Sequence, residues 1–180
     1  MRVTGGKARG IHLRVPAGPV RPATDYLREA VFSSLAALVP GARVLDLFAG
    51  TGAYGLEALS RGAASAVAVD RATAPAIAAN AAAVAKSMGL PALPLDIVTA
   101  DALSWTPGAP DFDLVFVDPP WELWEREADR LVAAAAPGGH VRLVLEGPGG
   151  FAPPAPPGWE LRKALGKGKG QPAAAILTRV

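Results

Sequence analysis

The 180-residue sequence contains no cysteine, which removes disulfides, thiolate metal sites and cysteine nucleophiles from consideration. Its two histidines, His12 and His140, are too few for a histidine-built metal centre, so no metal is expected. It has no basic-then-apolar leader and no apolar run near the roughly 18 residues of a membrane helix. Aromatic residues make up only 6% and charged residues 19%, against 51% hydrophobic. That balance excludes a disordered chain and predicts a folded globular one. The expectation is a soluble cytoplasmic protein without a membrane partner, monomeric, and one domain over residues 1–180.

What is abundant is glycine and proline, 20 and 18 residues with no collagen-like period, so they punctuate loops. Net charge is +2, unevenly spread. Basic side chains outnumber acidic ones in residues 1–30 and 160–180, and acids dominate between. Basic ends around an acidic body suggest a localised face for a polyanion.

From residue 43 onward short apolar runs alternate with helical patterns. RVLDLF (43–48), SAVAVD (65–70), LPLDIVTAD (93–101), FDLVFVD (112–118) and HVRLVLE (140–146) read as strands. YGLEALSRG (54–62), TAPAIAANAAAVAKSMG (73–89) and WELWEREADRLVAAAA (121–136) read as helices, the last with Leu123, Trp124, Ala128, Leu131 and Val132 on one face. WELRKAL (159–165) and AAAILTRV (173–180) form a closing pair. Residues 1–40 stand outside this scheme: VTGGKARGIHLRV suggests a glycine-interrupted hairpin, and 24–38 an amphipathic helix capped by Thr24 or Asp25. The alternation predicts an α/β fold with a mostly parallel sheet covered on both faces. Ligands should then sit at the carboxyl ends of the strands, where Asp46, Asp70, Asp101 and Asp118 fall.

The first strand runs into DLFAGTGAYG (46–55). Gly50, Gly52 and Gly55 fit G-x-G-x-x-G, which alone is a weak signal. Asp46 beside the loop would repel a pyrophosphate but suits an ammonium group or its water. Asp70 can accept ribose hydroxyls, and Asp101 falls near the place of an adenine amino group. This combination resembles the class I S-adenosylmethionine-dependent methyltransferases. The resemblance implies a Rossmann-like fold with a seven-stranded sheet. It also implies S-adenosylmethionine as cofactor, held by Asp46, Ala49, Gly50, Thr51, Gly52, Asp70, Arg71, Asp101 and Ala102.

DPPW (118–121) ends the fourth strand. An exocyclic amine is a poor nucleophile because its lone pair is delocalised into the ring. Two acceptors placed off the ring plane favour the tetrahedral nitrogen that must form. The Asp118 carboxylate can be one and the Pro119 carbonyl the other, with Pro119 and Pro120 fixing its direction. Trp121 offers a face on which an extruded base can stack, worth about 1–3 kcal/mol. DPPW resembles the [D/N/S]-P-P-[Y/F/W] motif of amino-methyltransferases. A DNA adenine-N6 methyltransferase can share that chemistry but usually carries an added recognition region. A glutamine methyltransferase favours asparagine before the prolines, and a nicotinamide oxidoreductase has no use for DPPW.

VTGGKARG (3–10), RPATDYLREAVFSSL (21–35), DLFAGTGAYGLEALSRGA (46–63) and DPPW, in that order, resemble the RsmD family. The resemblance implies methylation of the N2 amine of a guanine, position 966, in bacterial 16S rRNA, free or in a 30S assembly particle. On it, residues 1–40 form an RNA-binding extension to a catalytic core of 41–180, with Lys7, Arg9, Arg21 and Arg28 meeting RNA phosphate or shaping the substrate mouth. Three features depart from the family pattern. Trp121 replaces the usual tyrosine, Ile11 and His12 replace a basic dipeptide, and GKGKGQPAAAI (166–176) replaces the usual ending. Lys163, Lys167 and Lys169 are further candidates for RNA phosphate.

Overall fold

The computed structural model describes residues 1–16, 24–106, 112–135, 142–150, 155–166, 168 and 171–180. Seven strands, β1 (Arg43–Leu47), β2 (Ser65–Asp70), β3 (Leu95–Thr99), β4 (Leu114–Val117), β5 (Arg142–Gly147), β6 (Trp159–Gly166) and β7 (Ala173–Arg179), form one sheet. Among the described residues four helices accompany them: α1 (Asp25–Ser34), α2 (Ala53–Ser60), α3 (Ala74–Ser87) and α4 (Trp121–Ala135). Strand order is β3-β2-β1-β4-β5-β7-β6. The pairs among β1 to β5 are parallel, and β7 runs antiparallel between β5 and β6. The fold is Rossmann-like and mostly parallel, of the class I methyltransferase type.

Why these segments are strands follows from their burial. All four residues of β4 are buried, as are four of the five in β1, because helices cover both faces of a parallel sheet. On one face, Leu27, Val31 and Phe32 of α1 and Tyr54 and Ala58 of α2 pack on Val44, Phe116 and Val144. Ile77 of α3 joins that layer against Ala68. On the other, Trp124, Leu131 and Val132 of α4 pack on Leu45, Val115 and Leu143. The amphipathic stripe expected of α4 is therefore its core face, and Trp124 is core. Glu127, at φ −134°, interrupts that helix with a kink.

Boundaries differ from the sequence reading where side chains intervene. The first helix stops at Ser34 instead of continuing to Leu38; the Ser34 hydroxyl donates to the Ala30 carbonyl at 2.9 Å, a bond that competes with helical continuation. Thr24 is its cap, accepting from the Leu27 N–H at 3.2 Å. Asp25 sits in the first turn and pairs with Arg28 at 2.9 Å.

The N-terminal hairpin closes through Val3 N–H to Ile11 O (2.9 Å) and Gly10 N–H to Val3 O (2.8 Å). Its underside, Val3, Ala8 and Leu13, fills the groove between α2 and α3 against Ala53, Leu56 and Val84. Gly6 has φ +77°, and a Cβ there would lie 2.0 Å from the Ser60 carbonyl oxygen. Glycine is thus required where the hairpin tip meets the end of α2. Among the described residues, no helix is long and apolar enough to cross a membrane.

Candidate active site at the carboxyl edge of the sheet

Strand order reverses between the parallel neighbours β1 and β4, the place where an open α/β sheet forms its ligand crevice. The loop after β1 turns through Phe48 at φ +59°, Gly50 at +55° and Gly52 at +76°. Phe48 is the only non-glycine residue in the left-handed region among the described residues, and such backbone persists only where its surroundings hold it. Asp70 supplies part of that hold. Its Oδ2 accepts the Gly50 N–H at 3.0 Å, and its Oδ1 accepts the N–H groups of Ala72 and Thr73 at 2.8 and 3.0 Å. A carboxylate offers about four acceptor positions, so Asp70 keeps room for one further hydroxyl. Ala49, Thr51 and Ala102 are buried, while Arg71 and Asp101 are exposed. Asp101 shapes its own turn by accepting the Leu103 N–H at 2.9 Å.

Asp46 departs from expectation. It is 1% exposed and accepts the Gly55 N–H at 2.9 Å, so it lies beneath the loop and does not face an ammonium group directly. Burial pushes its carboxyl up to about 7, with the Asp70 charge adding to the effect and the Gly55 bond opposing it. It can act on a cationic ligand through its field.

Asp118 follows β4 and donates its backbone N–H to the Leu47 carbonyl at 3.4 Å. Asp118 and Trp121 are half-buried, Pro119 is buried and Pro120 exposed. Trp121 opens α4, so the prolines deliver the indole directly to a helix start. Burial holds the Asp118 carboxyl well above the ordinary carboxylate range, and the charges of Glu146 and Asp46 raise it further. Glu146, next to last in β5, is 3% exposed and accepts the Tyr54 hydroxyl at 2.5 Å. Burial raises the Glu146 carboxyl too, against the Tyr54 bond and the Arg28 charge. Three acids thus converge under the crevice, each with its carboxyl raised by burial.

The candidate RNA contacts scatter. Lys7 and Arg9 are exposed, but they lie at the hairpin tip, where the Lys7 N–H bonds the carbonyl of Ser60, the last residue of α2. Helix α2 leaves the carboxyl edge at Ala53 and ends at the amino edge, a run of about 12 Å for its eight residues. The tip is therefore at the end opposite Asp118 and does not shape the mouth. Arg28 is corrected outright: it is 0% exposed and ion-paired to Glu57 at 3.1 Å and Asp25 at 2.9 Å, so it cannot meet phosphate from there. Arg21, Lys167 and Lys169 lie outside the described residues. Lys163 is exposed and donates to the Ser34 hydroxyl at 2.9 Å.

A family model described as "Conserved hypothetical protein 95" matches residues 1–146. The chain belongs to that family, the RsmD family. Over 126 residues it is 43% identical to ribosomal RNA small subunit methyltransferase D of Escherichia coli K12, covering 67% of this chain and 60% of that relative. Its Haemophilus influenzae counterpart of the same name is 32% identical over 124 residues, 67% of this chain and 64% of that one. These matches span less than two thirds of either relative's length. The solved structure of yhhF from Escherichia coli superposes with a TM-score of 0.77 at 32% identity, over 99% of this chain and 97% of that one.

Within this RsmD-family chain, four buried polar residues near the site carry no motif in the sequence. Glu146 and Tyr54 stand out only once strands β4 and β5 are seen side by side. Asn80, 1% exposed, accepts the Arg14 N–H at 2.8 Å and donates to the carbonyls of Arg14 and Thr51, both at 3.0 Å. It ties hairpin, α3 and glycine loop together. Glu57, fully buried, collects Thr4, Arg28 and Arg61. Each is a polar residue inside an apolar or alanine-rich helix or at a strand end, a signal that a search for buried polar residues would have caught.

Proposed function

We propose that this chain transfers a methyl group from S-adenosylmethionine to the exocyclic N2 amine of a guanine in small-subunit rRNA. The observation that carries the reading is DPPW at the switch point, beside a glycine loop clamped by Asp70 and above a cluster of acids. The donor set fits a cationic cofactor: buried Asp46 supplies negative field, and Asp70 has one acceptor position left for a ribose hydroxyl. When bound, S-adenosylmethionine supplies an electrophilic methyl. The names of the curated relatives support rRNA as substrate; the choice of guanine N2 rests on the RsmD resemblance.

The chain's own residues then do three things. Trp121 stacks the extruded base, and the wall formed by Pro119 and Pro120 holds it in place. Asp118 and the Pro119 carbonyl accept the two hydrogens of the amine, directing its lone pair out of conjugation as positive charge develops on nitrogen. Asp118 takes the proton that nitrogen releases after transfer. No protein nucleophile takes part.

The test is direct. Purified protein with methyl-labelled cofactor is incubated with unmodified 30S particles, naked 16S rRNA or duplex DNA, and label is followed into N2-methylguanine after digestion. Label in rRNA as that nucleoside is expected. Label in DNA alone or in protein alone rejects the proposal. Asp118→Ala should cut kcat by about 10²–10⁴-fold, the usual range for loss of a positioned proton acceptor, while cofactor binding by calorimetry persists.

A further inference from the structure

The methyl-transfer scheme leaves a second carboxylate beside Asp118 without a task. In the β4–β5 register Val117 stands opposite Leu145, so the next residues, Asp118 and Glu146, are cross-strand neighbours. Side chains alternate along a strand. Asp118 therefore shares a face with Phe116, and Glu146 shares one with Val144. Phe116 and Val144 both lie in the core under α1 and α2. Adjacent strands of a sheet lie about 4.7–4.9 Å apart, which sets the two residues side by side.

Glu146 is held from several sides. Its Oε2 accepts the Tyr54 hydroxyl at 2.5 Å, and Tyr54 is stacked on Phe116 with centroids 4.7 Å apart. The Trp124 indole N–H donates to the Glu146 carbonyl at 2.8 Å. Glutamine could accept from Tyr54 equally well without the cost of a buried charge. A carboxylate at this position therefore asks for a reason connected with charge.

Resting on the methyl-transfer reading, we propose that Glu146 is a positioning residue for Asp118. Braced by Tyr54, it sets a second negative charge beside Asp118 and so fixes the pH above which Asp118 can accept the amine's hydrogens. The step balances simply: the amine nitrogen bonds the methyl carbon, the carbon–sulfur electron pair stays with sulfur, and the nitrogen's proton passes to Asp118. The groups facing this pair are Asp46 from β1, Tyr54 from α2 and Arg28 from α1, the last with its Glu57 partner behind it. Helix α4 lies on the opposite face, from which the Trp124 indole reaches the Glu146 carbonyl. Because the acids interact, they titrate as a set, and removing one charge moves the others.

The experiment is the pH profile of kcat and of KM for Glu146→Gln, which keeps the acceptor for Tyr54 and loses the charge. Methyl transfer to rRNA is measured from pH ~5.5 to ~9, alongside a thermal melt. The acidic limb of the kcat profile should move down by about one pH unit, as expected when a like charge is removed beside an acid. The KM for cofactor should stay within about twofold, since only the amine's acceptor is altered. Tyr54→Phe should move the limb the same way by less, because Glu146 then keeps its own proton to higher pH. A folded Glu146→Gln variant whose limb stays at the wild-type pH, whatever its height, overturns the assignment. If that variant does not fold, Tyr54→Phe decides, with an unmoved or upward limb counting against. Absence of RNA methylation by the wild type would sink the functional reading instead; transfer by the wild type with an unmoved limb sinks only the role of Glu146.

Discussion

Asp46, Asp118 and Glu146 do opposite things to stability and to function, and burial is the cause of both. Each has its carboxyl raised in the folded protein, so the native state binds protons that the unfolded chain releases near pH 4. Native proton uptake exceeds that of the unfolded state between about pH 4 and 7, and stability therefore falls as pH rises through that window. The thermal midpoint should be higher at pH 5.5 than at pH 8, and Asp46→Asn should flatten the difference. A midpoint that rises with pH over that range would contradict the burial of these charges. The same linkage runs the other way for a cationic ligand, which favours the ionised acids. Its binding releases protons and tightens toward pH 8. The energy spent in burying these groups becomes field at the place where positive charge develops.

At the level of elements, the acids at strand ends were legible because a strand's carboxyl end can be read from an apolar run closing on Asp. The helices of the core were legible from their period. What the linear pattern hid was contact between elements far apart in sequence. Arg28 looks like a surface cation on an amphipathic helix, and only the meeting of α1 with Glu57 of α2 makes it interior. Asn80 sits in an alanine-rich helix and reads as a solvated polar residue, yet its side chain joins hairpin, α3 and the Thr51 carbonyl. Asn80→Ala would leave the buried Thr51 carbonyl unsatisfied and release the part-buried backbone of Arg14, at a cost of about 1–3 kcal/mol. Amide exchange should show it. Protection should drop first across residues 1–16, and cofactor affinity should fall as the Thr51 turn loosens. Loss of affinity with the hairpin still fully protected would mean that the clamp does not pass through Asn80.

At the scale of the whole molecule, the hairpin's position changes what its basic residues can do. A tip that met the base pocket would govern the orientation of the flipped nucleotide, and hence kcat. The tip carrying Lys7 and Arg9 is instead at the amino edge of the sheet, one helix length from Asp118. A substrate must extend at least that length, about 12 Å, from the flipped base to reach both, which a structured ribosomal RNA does and a mononucleotide does not. Phosphate contacts release counterions, and each one lost should lower the slope of log affinity against log salt by about 0.7–0.9. The double variant Lys7→Ala, Arg9→Ala should therefore raise KM for 16S rRNA and flatten its salt dependence by roughly one to two such steps. Its kcat should remain at the wild-type level, and a guanosine mononucleotide should show no change in KM. Equal loss on mononucleotide and full rRNA would put the tip back at the mouth.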